Sequence, residues 1–431
     1  MIDTVINPFD KLDADIGAYI LANPDNDFSD VLKKDTRLEV ARFLSDIPNG
    51  LFSWYPFESN SRILIIGGFF GAFLRNISRR CKEIVVLEKD DFRAFCLKKR
   101  MCDNINVSII NSDIFKYKNN NEKLFDYIIF VADEKIDVLH NKSEYTEYFE
   151  KIKEFLLADG KLLTIIPNRL GARYFCGEQD LNSNIFDGID DNNSSVYRFD
   201  RNELKEFLLE QNFANIKLYY PMADYRNPQL IYTDEYPPDK TILERLKVYN
   251  PYNINRVMSE KQFYNILARN NEVSFFSNYF LAECGNSHCC NVIYAAIPSE
   301  RSRDKAFATC IRNDNIVQKI PIYDEGIYGL ECLINNSNEQ INRGVPSLEI
   351  DYKNGAANMR RVFAPTLSNY LRGLVNENAA KFLECTDKLY EYILQSSEHI
   401  SADKNAFLNL APNEDWGVIL KKGYIEMIPV N

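Results

Sequence analysis

The feature that most constrains this chain is a run of five residues, Arg62-Ile63-Leu64-Ile65-Ile66, that stops at Gly67-Gly68 and gives way over residues 72–80 to helical periodicity. A short β-branched run bounded by glycine reads as a buried strand, and the change of period after it as strand, glycine turn and helix. The unit then recurs. Ile84-Val85-Val86-Leu87 ends at Glu88 before a helix over 91–99, and Val107-Ser108-Ile109-Ile110 ends at Asp113. Residues 127–131 form a fourth strand, 144–157 a crossover helix and 161–166 a fifth strand. Apolar strands alternating with helices at this spacing predict an α/β fold with a parallel, doubly wound sheet, completed by a helix over 201–210 and a strand over 216–220.

With 431 residues the chain is long enough for more than this one body. Residues 1–60 read as a helical lead-in, with Ile16, Tyr19 and Ile20 on one stripe and Leu38, Val40, Ala41 and Leu44 on another; residues 61–235 hold the α/β domain. Pro228, Pro237, Pro238 and Pro251 then break the pattern, so 236–285 is expected to be a linker with a helix over 260–269. Antiparallel strands over 291–296, 305–312 and 316–322 and helices over 368–376 and 379–395 predict a separate α+β region at 286–431.

A net charge of -11 argues against a general grip on nucleic acid, which needs clustered cations to displace counterions. Lys98-Lys99-Arg100 reads as a solvated helix face, or as a local basic patch. Ten cysteines without regular spacing imply reduced thiols and a cytoplasmic protein, and Cys284, His288, Cys289 and Cys290 lack the second pair a zinc site would need, so no metal is expected. The longest apolar run, residues 63–74, is too short to span a bilayer, and the N-terminus has no signal-peptide pattern.

The chemistry lies at the strand ends. A glycine turn lets the backbone pass close to a ligand, and the helix start beyond it supplies N–H donors. Here the turn is Gly67-Gly68-Phe69-Phe70-Gly71. Glu88, ending the second strand, can accept from both ribose hydroxyls, and Asp113 follows the third strand where adenine would lie. That ordered trio is the pattern of an S-adenosylmethionine site. Taken singly, each has a plainer reading: a steric glycine turn, a strand-end acid, a turn cap.

The resemblance carried by longer motifs is more specific. Trp54-Tyr55-Pro56-Phe57, residues 62–71, Asn168-Arg169-Leu170-Gly171-Ala172-Arg173-Tyr174-Phe175, Phe186-Asp187-Gly188-Ile189, Tyr219-Tyr220-Pro221 and Asp224-Tyr225 make residues 50–240 resemble bacterial class I S-adenosylmethionine-dependent methyltransferases found with surface-polysaccharide glycosyltransferases. The resemblance implies a Rossmann-like methyltransferase domain, S-adenosylmethionine as cofactor, a glycan, nucleotide-sugar or glycolipid acceptor, and a glycosyltransferase as partner. Two positions depart from the family: Ile65 stands where it has Glu, and Phe69 where it has the middle loop glycine. Either the Phe69 ring blocks the ligand, or the loop bends aside with Phe69 and Phe70 packed on adenine or a neighbouring helix. A catalytically inactive scaffold docking on a glycosyltransferase is the competing expectation.

For the acceptor, the candidates are Asp133, Glu134 and Asp137 after the fourth strand, His140, and Asn168, Arg169, Arg173 and Tyr174 of the long motif, with the arginines and the tyrosine suited to an anionic sugar or nucleotide. No catalytic base stands out. Ser302, Arg303, Ala306-Phe307-Ala308, Val317-Gln318-Lys319-Ile320-Pro321 and Phe363-Ala364-Pro365-Thr366-Leu367 resemble the kinase-like domain of bifunctional methyltransferase-kinases. By that likeness Lys319 is the strand lysine that neutralises ATP phosphates, and Glu426 and Asn431 copy the spacing of a kinase catalytic loop with Glu in place of Asp. Without a further metal-holding Asp, an incomplete lobe that does not transfer phosphate is expected.

Overall fold

The computed structural model describes residues 8–118, 124–132, 139–179, 186, 189, 196–239, 242–243, 246–248, 256–400 and 418–424. Its centre is five parallel strands, β1 (Arg62–Ile66), β2 (Glu83–Glu88), β3 (Val107–Asn111), β4 (Phe125–Val131) and β5 (Leu156–Pro167), in the order β3-β2-β1-β4-β5. The order turns back between β1 and β4, and in open α/β sheets a ligand sits at the carboxyl ends of the strands at such a point.

Beyond β5 the sheet is mixed, and not wholly parallel as the sequence suggested. Besides β6 (Asn215–Met222) and β7 (Leu230–Tyr232) there is β8 (Tyr279–Gly285), which runs antiparallel between β5 and β6. This strand falls in the stretch expected to be a linker. Glu283 in its middle disguises it, because a carboxylate argues against a fully buried strand. Burial is possible because Tyr55 and Tyr219 donate hydroxyls to its two oxygens at 2.9 Å each, Cys290 donates its amide at 2.9 Å, and the Lys161 ammonium lies 3.0 Å away.

The described strands after residue 286 join the same sheet, where the sequence suggested a separate region. The free edge of β6 takes β7, β7 takes β9 (Val292–Ala296), and the antiparallel ladder continues through β10 (Phe307–Arg312), β11 (Ile316–Pro321), β13 (Ala356–Arg360) and β12 (Asp351–Lys353). The described strands thus make one thirteen-stranded sheet.

Side chains alternate across the central strands, so each face gets its own core. One face presents Ile63, Ile65, Ile84, Val86 and Ile129 to a cluster that includes residues of α1 (Pro8–Ala22), α3 (Leu38–Leu44) and α5 (Asp91–Arg100); between α1 and α3 lies the short α2 (Ser29–Lys34). The other presents Leu64, Ile66, Val85, Ile128 and Phe130 to α6 (Lys142–Phe155), α8 (Arg201–Glu210) and α9 (Glu260–Arg269). Asp200 and Glu203 close a reciprocal capping box at the start of α8. The helix expected over 72–80 is regular only as α4 (Leu74–Ser78), since Phe70 keeps a left-handed backbone just before it. The remaining helices are α7 (Ala172–Phe175), α10 (Gly326–Asn342), α11 (Leu367–Glu377) and α12 (Ala379–Gln395). Among the described residues, no helix is long and apolar enough to cross a membrane.

Candidate functional site

The loop after β1 follows the backbone path of a glycine turn even where glycine has been replaced. Gly67 and Gly71 have φ of 86° and 81°, and between them Phe69 and Phe70 sit at 50° and 48°. A bulky residue at positive φ is strained, and two in succession persist only where their surroundings impose it. Gly68, at φ -82°, is favoured by packing instead: a Cβ there would fall 2.2 Å from Leu97 Cδ1 of α5, and the leucine would have to shift. Its amide donates to Glu88 Oε2 at 3.0 Å, and the Asp90 amide donates to Oε1 at 3.1 Å. Glu88 is therefore at the loop, as its place at the end of β2 predicts, with an oxygen on each of two backbone donors. Burial raises its pKa against the pull of those hydrogen bonds.

The aromatic rings of the loop point inward. Phe69 and Phe70 are 5% and 1% exposed. Phe43 of α3 packs on both, at 4.8 and 5.5 Å between centroids, and Tyr225 lies 6.0 Å from Phe69. Arg100, at the end of α5, donates Nη1 to the carbonyl oxygens of Phe43 at 2.8 Å and Phe70 at 2.6 Å. It is buried, so the reading of Lys98-Lys99-Arg100 as a solvated face holds only for the two lysines. No carboxylate pairs with Arg100 among the described residues, and burial pushes its pKa down to about 9. The helical lead-in thus reaches the centre of the site through α3.

A second contact of α3 leads to the loop after β6. Asp224 holds Arg226 with both oxygens, at 2.5 to 3.0 Å, and Arg42 of α3 approaches Asp224 Oδ2 at 3.6 Å. Burial opposes the charge on Asp224, but the two guanidiniums hold its carboxyl well below the usual range. Neither Arg42 nor Arg100 was singled out for the site from sequence. The helical stripe shows that α3 packs against something, but not that its target is the glycine loop.

The acceptor candidates disperse. Asn168 is buried and splices two chain segments, donating Nδ2 to the carbonyls of Phe275 at 2.9 Å and Ser277 at 2.7 Å while Oδ1 accepts from the Leu170 amide. Arg169 turns to Glu203 and Asp200 at the start of α8. Arg173 and Tyr174 stay together: Arg173 donates to the hydroxyls of Tyr174 at 2.5 Å and Tyr279 at 2.6 Å, beside Tyr225 and Arg226. Asp113 caps its own turn, accepting from the Lys116 amide at 2.8 Å and pairing with its ammonium. His140 donates its backbone amide to Glu144 at the start of α6. Lys319 is on β11, at the far side of the sheet from β1. Asp133, Glu134, Asp137, Asp187, Gly188, Glu426 and Asn431 lie outside the described residues.

In the state described, these residues do not fit S-adenosylmethionine. Two phenylalanine rings are packed at the loop against which it would lie, and Ile65, where the resemblance leads one to expect an acid, is a buried apolar residue. Entry requires the rings to move.

Comparison with known proteins gives a partial match. The family model of the spermine/spermidine synthase domain matches residues 50–170. No curated protein matches. Solved structures similar to this chain include the N-methyltransferase NodS from Bradyrhizobium japonicum WM9 with S-adenosyl-L-homocysteine, 18% identical over 36% of this chain and 74% of that one, with a TM-score of 0.25. The plantazolicin methyltransferase BpumL with the same ligand is 12% identical over 65% and 100%, at 0.32. A SAM-dependent methyltransferase from Aquifex aeolicus is 14% identical over 45% and 92%, at 0.31. Scores of this size carry no argument about the site. The strand order and the antiparallel insertion of β8 between β5 and β6 carry the assignment of this part of the chain to a Rossmann-like α/β fold with a mixed sheet.

Proposed function

We propose that the chain is an S-adenosylmethionine-dependent methyltransferase-type protein of surface-glycan assembly, held in the state described with its cofactor cleft filled by Phe69 and Phe70. The observation that carries this is the preserved backbone path of the loop: φ stays positive at Gly67, Phe69, Phe70 and Gly71, and Glu88 remains against Gly68. When bound, the cofactor would supply an activated methyl group. The chain's own contribution at the acceptor side is orientation, for which Arg173, buried between the Tyr174 and Tyr279 rings at 4.6 Å from each and paired with Glu178, is the candidate anchor: an anionic sugar or glycolipid head would have to displace Glu178. The glycan class and a glycosyltransferase partner come from the family resemblance.

The packed rings and Ile65 favour a second reading, a scaffold of the same fold that has lost the cofactor. Titration of S-adenosylhomocysteine by calorimetry separates the two. Replacing Phe69→Gly together with Ile65→Glu is expected to tighten binding at least tenfold over the unmodified protein, and Glu88→Ala in that background to weaken it by about 1.5–3 kcal/mol, the scale of hydrogen bonds to a charged acceptor. If the doubly substituted protein takes up no ligand at millimolar concentration, the scaffold reading stands instead.

A further inference from the structure

The helix that packs on the plug also grips the opposite wall of the site, and each grip is of a kind that can be released. Phe43 rests on Phe69 and Phe70, while the adjacent Arg42 reaches Asp224 on the loop after β6. Arg226 engages both oxygens of Asp224 at shorter distance than Arg42 does. Arg42 Nε has no hydrogen-bond partner among the described residues. The guanidinium of Arg100 donates to the carbonyls of both Phe43 and Phe70 and so ties α3 to the loop. Helix α3 is seven residues long with no side-chain cap at its start, and it is held by burial of Val40, Arg42, Phe43 and Leu44, whereas α2 before it buries none of its residues. The plug itself is strained, with two aromatic residues in the left-handed region.

The geometry points to α3 as a latch: seated, it holds Phe69 and Phe70 in the cleft, and lifting it frees the loop to relax and admit the adenosyl ligand. This is an autoinhibitory contact within one chain, and its ligand side rests on the cofactor reading given above. Coupling arises because one helix and one arginine stabilise the shut loop, so whatever removes α3 from its seat shifts the loop toward the open state.

The test uses the full chain with two readouts. Hydrogen exchange of the backbone amides of residues 67–73 reports the loop directly, and calorimetric titration of S-adenosylhomocysteine reports the cleft. The variants are Phe43→Ala, which deletes the contact with the plug, and Arg42→Met, which keeps bulk and removes the charge from Asp224. Leu204→Ala, in the core of the opposite face, controls for general loss of stability. Both α3 variants are expected to speed exchange over 67–73 at least tenfold relative to the unmodified protein while the control does not, and to tighten binding at least tenfold. Loop protection that stays unchanged in both, or that falls equally in the control, overturns the latch. A variant with Phe69→Gly and Phe70→Ala keeps α3 and deletes the plug. If that protein binds no ligand while Phe43→Ala still unlocks the loop by exchange, the cofactor reading fails and the latch stands.

Discussion

Glu260 illustrates how much one buried residue can govern without revealing itself in the sequence. In the first turn of α9 it accepts from Asn278 Nδ2 at 2.7 Å, and Asn278 also donates to the Ala223 carbonyl and accepts the Arg173 amide, tying the helix to the strand ends around the site. Burial pushes the carboxyl up to about 7, against the Asn278 hydrogen bond and with the nearby Glu178 charge adding to the rise. The folded protein therefore keeps a proton that the unfolded chain releases near 4.5, so stability falls as pH rises from about 4.5 through 7. Urea unfolding at pH 5 and pH 8 should show Glu260→Gln losing about 2–3 kcal/mol less than the unmodified protein between the two; equal losses would place the titration elsewhere. Glu88 was readable because a strand end is a position with a role. Glu260 and Arg100 were not, because a charged residue on a predicted helix is read as solvated until its neighbours are known.

At the level of elements, the legible parts were those whose pattern is local. The strands β1 to β5 announce themselves by apolar runs rich in β-branched residues, and β6, β9, β10, β11, α11 and α12 fall where periodicity put them. What escaped was set by distant partners. Strand β8 hides behind Glu283, α10 carries Gly329 and several asparagines in place of a clean stripe, and the close of the α/β body depends on a strand some sixty residues beyond β6 that no local signal assigns to it. Because Glu283 anchors Tyr55, Tyr219, Lys161 and the Cys290 amide at once, Glu283→Ala is expected to destabilise the protein by about 3–5 kcal/mol, as breaking a buried charged network does. Chemical denaturation measures it, and a loss under 1 kcal/mol would mean that water replaces the carboxylate.

For the molecule as a whole, the continuous ladder replaces the domain plan drawn from the sequence. Two independent domains joined at 236–285 would unfold in two steps and yield a stable fragment on cleavage there. With β8 buried between β5 and β6, and β7 carrying the ladder on to β9, one cooperative transition is expected for the sheet, and calorimetric scanning together with limited proteolysis should find neither a second peak nor a surviving N-terminal piece that ends before β8. Neighbouring strands in a sheet are rotated by roughly 20–25° on average, always in the same sense. Across the twelve steps from β3 to β12 that rotation adds up to roughly two-thirds to five-sixths of a full turn. The strand end carrying Glu88 and the far edge at β12 therefore look out in different directions, and a flat surface that docks on one is turned away from the other.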